Sequence, residues 1–193
     1  MKNKIKQCIS NSADNYLKLL NDQNIHQDLQ TIITLCVTAF KNDNKMLLCG
    51  NGGSASDAQH IAAELSGRFY INRSPLYAEA LHVNSSYLTA VANDFGYDET
   101  YVRMLEACGR QGDILVGIST SGNSPNVLKA LTKANDLGIK TIGFSGRNGG
   151  EMNNLCDIIL KVPSDDTARI QEGHILFGHI ICQLIEEEMF PNV

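Results

Sequence analysis

Five short apolar runs alternate with segments of helical periodicity after residue 41. The runs are KMLLCG (45–50), YAEALHV (77–83), DILVGIS (113–119), KTIGFSG (140–146) and DIILKV (157–162). Such nearly continuous apolar runs are typical of strands buried on both faces of a parallel sheet. Because helical segments separate them, the pattern predicts an α/β fold, a doubly wound αβα sandwich with a five-stranded parallel sheet. In such sheets ligands bind beyond the carboxyl ends of the strands.

The first 41 residues have a different pattern. Apolar residues recur there at helical spacing and predict two helices, broken near Asn21 to His26. The 193 residues, 43% of them hydrophobic, suffice for one sizeable core and are too few for two ordinary domains. We therefore expect a single domain over 1–193, with N-terminal helices at 1–41 and an α/β core at 42–193. A final helix is expected at about Thr167 to Met189.

Composition narrows the class of ligand and the compartment. The formal charge is −5 and the 16 Lys and Arg are scattered, which disfavours nucleic acid as the main partner and favours a small molecule. The N-terminus lacks the apolar run of a signal peptide, and no later run is long enough to span a bilayer. We expect a cytoplasmic protein with no membrane partner. Its six cysteines form no C-x-x-C pair, so reduced thiols are expected.

Two loops at strand ends are candidates for anion binding. After the strand at 45–50, NGGSAS gives a tight glycine turn and the start of a helix, which aims free N–H groups at a ligand. The lysine of a Walker A loop is absent, which disfavours nucleotides. The loop after the strand at 113–119 carries four hydroxyls, Ser119, Thr120, Ser121 and Ser124. Ordinary turns and an N-cap at Ser124 before Pro125 are the alternative explanations.

Two helices each present a pair of polar side chains. His60 and Glu64 are four residues apart and share one face of the helix after the glycine loop. Gln171 and His179, on the last helix, are eight residues apart and lie within about a quarter turn of each other around its axis. Each of the four could be an ordinary core or surface residue. Spacing alone does not choose between the second pair and its neighbours Glu172 and His174.

The segments GNGGSASDAQH (50–60), ISTSGNSPNV (118–127) and RIQEGHILFGHIICQLIE (169–186) together resemble the sugar isomerase (SIS) family. Within it, the chain is similar to the phosphoheptose isomerases over nearly its whole length. The resemblance implies the SIS fold and the isomerisation of D-sedoheptulose 7-phosphate to D-glycero-D-manno-heptose 7-phosphate. It also implies a homotetramer in which the N-terminal helices at 1–41 take part in oligomerisation.

The resemblance also implies roles for individual residues. It assigns one divalent metal ion per subunit, usually zinc, to His60, Glu64, Gln171 and His179, and acid and base roles to Glu64 and His179. Substrate contacts are expected at the remaining matched positions: Asn51, Gly52, Gly53, Asn93, Asp94, Ser119, Thr120, Ser121, Ser124 and Gln171. A carboxylate fully committed to a metal is a poor base, so the two roles of Glu64 would have to alternate.

Two other functions compete with this one. Some SIS proteins are not enzymes, such as those that bind the DnaA replication initiator; they keep the serine loop but lack the full metal and acid–base set. Isomerases of other phosphosugars would share the phosphate loop and the metal, and would differ in cavity length. The presence of Glu64 and His179 favours the enzyme.

Overall fold

The computed structural model describes residues 1–192 and consists of a parallel sheet between two layers of helices. The helices are α1 Lys2–Leu20, α2 Gln23–Lys41, α3 Gly53–Ser66, α4 Ser85–Phe95, α5 Thr100–Cys108, α6 Pro125–Asp136 and α7 Thr167–Met189. The strands are β1 Met46–Gly50, β2 Ala78–Ala80, β3 Ile114–Ser119, β4 Lys140–Ser145 and β5 Ile158–Lys161. Short 3₁₀ helices at Tyr97–Glu99 and Gly150–Asn154 complete the described elements.

The five strands are all parallel and lie in the order β2-β1-β3-β4-β5. This confirms the predicted doubly wound sheet. The register pairs Gly50 at the end of β1 with Ile118 near the end of β3, and Ser119 with Ser145 of β4. The chain turns away from β1 in opposite directions toward β2 and β3, so this is the switch point of the sheet, where a crevice opens.

Alternate strand residues build two separate cores. Met46 and Leu48 of β1 pack in the cluster that contains buried residues of α2, α3 and α7. Leu47 and Cys49, which point to the other face, pack with α5 and α6. Strands buried on both faces account for the nearly continuous apolar runs of the sequence. The helices α3 and α6, which follow the two candidate loops, consequently lie on opposite faces of the sheet.

The N-terminal segment forms the two expected helices, with a shorter break than predicted. Only Asn21 and Asp22 separate them, because the Asp22 carboxylate accepts from the backbone N–H groups of Asn24 and Ile25 and starts α2 at once. The α1 helix packs against α7 and exposes large apolar side chains on its outer surface: Ile5, Ile9, Tyr16, Leu17 and Leu20.

Most predicted boundaries hold to within one residue, and β2 is the exception. It covers Ala78–Ala80 rather than 77–83, since the chain turns after Leu81 donates its N–H to Leu48 O. The final helix matches its predicted limits, and Asp166 of the predicted cluster caps it through Ala168 N. None of the helices within residues 1–192 has the length and apolar character needed to cross a membrane.

Candidate active site at the switch point

The glycine loop brings its backbone close to the start of α3 and to α7. Gly52 has φ of +56°, a left-handed conformation that glycine adopts without strain. A Cβ on Gly53 would lie 2.3 Å from Nε2 of Gln171, and a Cβ on Gly50 would lie 2.7 Å from Ser54 O. A side chain at 50 would therefore collide with the backbone at the start of α3. At 53, the absence of a side chain leaves room for the amide of Gln171 beside the loop.

The serine loop gathers its hydroxyls at the N-terminus of α6. Ser119 Oγ lies 2.9 Å from Ser124 Oγ and 3.4 Å from Ser121 Oγ. Ser124 occupies the N-cap position before Pro125, as predicted, yet its side chain makes no capping hydrogen bond. Capping therefore does not account for the Ser124 hydroxyl. Clustered hydroxyls at the positive end of a helix form a suitable cradle for a phosphate.

Backbone contacts hold the serine loop in place. Gly146 N–H donates to Thr120 O, and Met152 N–H donates to Gly122 O. A Cβ on Gly122, where φ is +68°, would overlap the carbonyl of Gly149. The serine loop thus touches the segment that follows β4, backbone to backbone. These contacts fix the shape of the hydroxyl cluster before any ligand arrives.

A cavity of about 300 Å³ opens beside the serine loop. Its wall includes Thr120 and Ser121, together with Arg147 from the loop after β4 and Thr167 from the first turn of α7. Arg147 pairs with Asp165, with Nε and Oδ2 3.1 Å apart. Arg147 was not predicted from the sequence, because a lone arginine in a loop has no spacing pattern that marks it.

Three of the four expected metal ligands converge between α3 and α7. Nε2 of His60 lies 3.1 Å from Oε1 of Glu64 and 3.4 Å from Nε2 of His179. The His60 and His179 rings lie 5.1 Å apart, and Phe69 packs against His179 with ring centroids separated by 5.8 Å. Two helices that are distant in the chain thus bring a base candidate and an acid candidate to one place.

The donor set of this cluster suits zinc. Imidazole and carboxylate are zinc ligands, and with bonds of about 2.0–2.1 Å two ligand atoms of a tetrahedral site lie about 3.3 Å apart. The two distances at His60 match that separation. Within residues 1–192, however, no three His, Cys, Asp or Glu side chains already surround one common point. Glu64 and His60 are joined by a direct hydrogen bond, so their side chains would have to rotate to admit a metal ion between them.

Several of the expected site residues lie outside this cluster. No hydrogen bond of the described chain joins Gln171 to it; the amide of Gln171 lies against Gly53 instead. Asn93 and Asp94 lie at the end of α4 and are exposed, and the Asn93 amide donates to the Asp94 carboxylate. The side chain of Asn51 is held by protein groups, reciprocally by the Asn126 amide.

Glu172 and His174, the neighbours on α7 that sequence spacing could not exclude as site residues, have other partners. His174 is fully buried and packs against Phe144, and burial lowers its pKa to about 4. A neutral ring in the sheet-facing core is a structural residue. Glu172 pairs with Arg169 on its own helix, at 2.6 Å between Oε1 and Nη2. Of the four candidates on α7, His179 is therefore the one that joins His60.

Comparison with known proteins settles the family. The SIS domain family matches residues 10–146, which is more than half of the chain. A phosphoheptose isomerase of Clostridium acetobutylicum is 50% identical over 190 residues, which cover 98% of this chain and 97% of the relative. This chain belongs to the phosphoheptose isomerases. The fold and the predicted resemblance are thereby confirmed.

Solved structures extend the agreement to three dimensions. The phosphoheptose isomerase of Neisseria gonorrhoeae superimposes with a TM-score of 0.90 at 39% identity, covering 96% of this chain and 98% of that one. For the Francisella tularensis phosphoheptose isomerase the TM-score is 0.91 at 36% identity, with coverage of 96% and 97%. The likeness to phosphoheptose isomerases thus includes the N-terminal helices as well as the sheet.

Proposed function

We propose that this chain is an aldose–ketose isomerase that converts D-sedoheptulose 7-phosphate to D-glycero-D-manno-heptose 7-phosphate, the first step toward ADP-heptose and the lipopolysaccharide core. The observation that carries the proposal is the convergence of Glu64 and His179 on His60 in a phosphoheptose isomerase chain. A non-catalytic sugar-phosphate sensor would have no use for an acid and a base held together.

The serine loop would hold one end of the substrate. Hydroxyls of Ser119, Thr120, Ser121 and Ser124 donate to the phosphate oxygens at the N-terminus of α6. The glycine loop at 51–53 follows β1, the strand that pairs with β3, and supports the sugar. Fixing the phosphate directs the other end of the open-chain sugar toward α3 and α7. Binding energy at the phosphate thereby positions the reacting carbons.

Proton transfer then follows from the two groups beside His60. Glu64 removes a proton from C1 of the ketose, the electron pair forms the C1–C2 double bond, and the C2 carbonyl oxygen takes a proton from His179. In the second half of the forward reaction, His179 takes a proton from the O1 hydroxyl, the C1 carbonyl forms, and C2 receives the proton held by Glu64. Each proton removed is returned, so the residues are regenerated at the end of the cycle.

One zinc ion per subunit is part of the proposal. His60, Glu64 and His179 would hold it, with Gln171 as the fourth expected ligand once its amide leaves Gly53. Zinc would supply a Lewis acid for the substrate carbonyl. The donor distances around His60 support this assignment. An amide and a carboxylate make a more exchangeable site than cysteines do, which suits catalysis.

The assembly is proposed as a cytoplasmic homotetramer. An apolar groove of about 640 Å³ runs between α1, α2 and α7, and the outer face of α1 carries large exposed apolar side chains. Contiguous apolar surface of this kind favours association with another copy. All six cysteines are free thiols, in keeping with a reducing compartment.

The test is an NMR time course of the zinc-loaded protein with sedoheptulose 7-phosphate, beside the same protein treated with a chelator. We expect an aldoheptose 7-phosphate to appear in the first sample only. Running the reaction in D₂O adds a second readout, because exchange through an enediol places deuterium on carbon whereas a hydride shift does not. A folded, zinc-loaded protein that leaves the sugar unchanged would disprove the proposal and favour another phosphosugar or a sensor role.

A further inference from the structure

Asn51 and Asn126 form a reciprocal amide pair between the glycine loop and α6. Nδ2 of Asn51 donates to Oδ1 of Asn126 at 2.9 Å, and Nδ2 of Asn126 donates to Oδ1 of Asn51 at 2.9 Å. The N–H of Val127 also donates to Oδ1 of Asn126. Because a backbone N–H can only donate, this bond fixes which atom of Asn126 is the oxygen, and hence the direction of both bonds in the pair.

Two tyrosines complete the network around Asn51. The hydroxyl of Tyr97 donates to Oδ1 of Asn51 at 3.2 Å. Tyr101, which is fully buried, donates its single proton to the carbonyl of Gly50 at the end of β1. The carbonyl oxygen of Asn51 thus accepts from both Asn126 and Tyr97, which uses its two lone pairs. This leaves the second N–H of the Asn51 amide as the part of its side chain that could contact a sugar.

The position of the pair gives it a mechanical role. Asn126 lies in the first turn of α6, two residues after Ser124, and is 2% exposed. Asn51 lies between β1 and α3, the helix of His60 and Glu64. The two helices are on opposite faces of the sheet, so the amide pair joins the phosphate end of the site to its chemical end.

We propose that Asn126 is a positioning residue, which acts through Asn51 to set the separation between the phosphate loop and the Glu64–His179 pair. The inference rests on the proposed function. The serine-loop hydroxyls bond to one another and not to the Asn51–Asn126 pair, so loss of the pair leaves the phosphate contacts in place. The reacting carbons, however, would be displaced relative to the base. A displacement of about 1 Å at a reacting centre costs on the order of a hundredfold in rate.

The test is a double-mutant cycle of Asn51→Ala and Asn126→Ala with sedoheptulose 7-phosphate. We expect each variant to lower kcat by about a hundredfold. Asn126→Ala, which lies outside the expected substrate contacts, should change KM by less than about threefold. If the residues act as a unit, the double variant is no slower than either single one. Additive losses, unchanged kcat, or a change confined to KM would overturn the proposal.

Two further variants guard against a loss of folding. Thr141→Val removes another buried polar side chain with several hydrogen bonds, at the amino end of β4, and should lower thermal stability without changing kcat. Tyr97→Phe deletes one bond to Asn51 from a half-exposed residue, and should lower kcat several-fold in a fully folded protein. A Tyr97→Phe variant with wild-type kcat would overturn the proposal even if Asn126→Ala did not fold. Inactivity of the wild-type enzyme would instead refute the proposed function and this inference with it.

Discussion

Glu186 and Arg73 form a buried ion pair, with Oε2 and Nε 2.8 Å apart, that fixes the loop after α3. The same carboxylate accepts from the backbone N–H groups of Phe69, Tyr70 and Ile71. Arg73 in turn donates to carbonyls at the end of α3. The loop is thereby held against α7, with Phe69 beside His179.

Replacing Glu186 should destabilise the protein strongly. Glu186→Gln leaves the Arg73 guanidinium buried without its counter-charge, which we expect to cost about 3 kcal/mol in the free energy of unfolding. Chemical denaturation measures this. Glu187→Gln, an exposed change one residue away, is the matched control and should cost less than about 0.5 kcal/mol. Equal stabilities of the two variants would contradict the role of the pair.

Stability should also depend on pH through Glu186. Burial by itself raises the pKa of this carboxyl, but three backbone N–H groups and Arg73 outweigh burial and lower the pKa below its ordinary value of 4.5. The charged form therefore favours the folded state. Its contribution is complete above pH 4.5 and is lost as the pH falls through the folded-state pKa. Urea titrations between pH 6 and 3 should show a steeper loss for the wild type than for Glu186→Gln.

Removal of the hydroxyls from the serine loop should weaken substrate binding. Ser121→Ala combined with Ser124→Ala deletes two donors to a charged phosphate, each worth about 1.5 kcal/mol, so KM should rise about a hundredfold. Steady-state kinetics test this, with Thr132→Ala near the other end of α6 as the control. A KM within a factor of two of the wild-type value would rule out the phosphate cradle.

Neutralising Glu64 should stop turnover without preventing binding. Glu64→Gln keeps the shape of the side chain but removes the base, and the rate should fall by about 10²–10⁴. Calorimetric titration with sedoheptulose 7-phosphate should give an affinity close to that of the wild type. If the variant turned over at an undiminished rate, Glu64 would not be the base.

The zinc proposal can be tested without measuring activity. The wild-type protein should take up one zinc ion per subunit and gain about 2.7 kcal/mol of stability when free zinc is 100 times its Kd. His60→Ala should lose both effects, as metal analysis and thermal melts would show. His26→Ala, a histidine that instead contacts Leu19 O, should retain them. Equal zinc content in the two variants would exclude His60 as a ligand.

The outer face of α1 should be an interface between subunits. Ile9 and Leu20 are each 65% exposed and project from the same side of the helix. Changing both to Asp should reduce the mass in solution from four times 21.1 kDa to that of a smaller species, which light scattering would detect. Lys18→Asp, on another face of α1, should leave the assembly intact. A wild-type protein that is monomeric at micromolar concentrations would contradict the tetramer.

The sequence was sufficient to predict the sheet, because its strands are buried on both faces and leave unbroken apolar runs. It was also sufficient to predict the start of α6, where Ser124 and Pro125 have local backbone requirements. Contacts between segments that are distant in the chain could not be predicted from the sequence. Asn51 and Asn126 are 75 positions apart, and His60 and His179 are 119 apart, so neither pair leaves a spacing pattern. The cluster around His60 was identified only through a family resemblance.

The burial of Glu186 was also not predicted, although the sequence contains a signal for it. It begins the run Glu186, Glu187 and Glu188, which looks like a charged helix end. Its spacing from Cys182, however, places it on the apolar face of α7, where a carboxylate must have partners. Helical periodicity therefore distinguishes the buried acid from its two exposed neighbours.

The sandwich assigns the two ends of the proposed substrate to different layers of the protein. The serine loop leads into α6 on one face, while α3 and α7 carry the proposed acid and base on the other. Directed evolution toward longer or shorter phosphosugars can therefore be confined to a library on one layer, with the opposite layer kept constant. The amide pair across the crevice then becomes the position to retain when the two halves of the site are recombined.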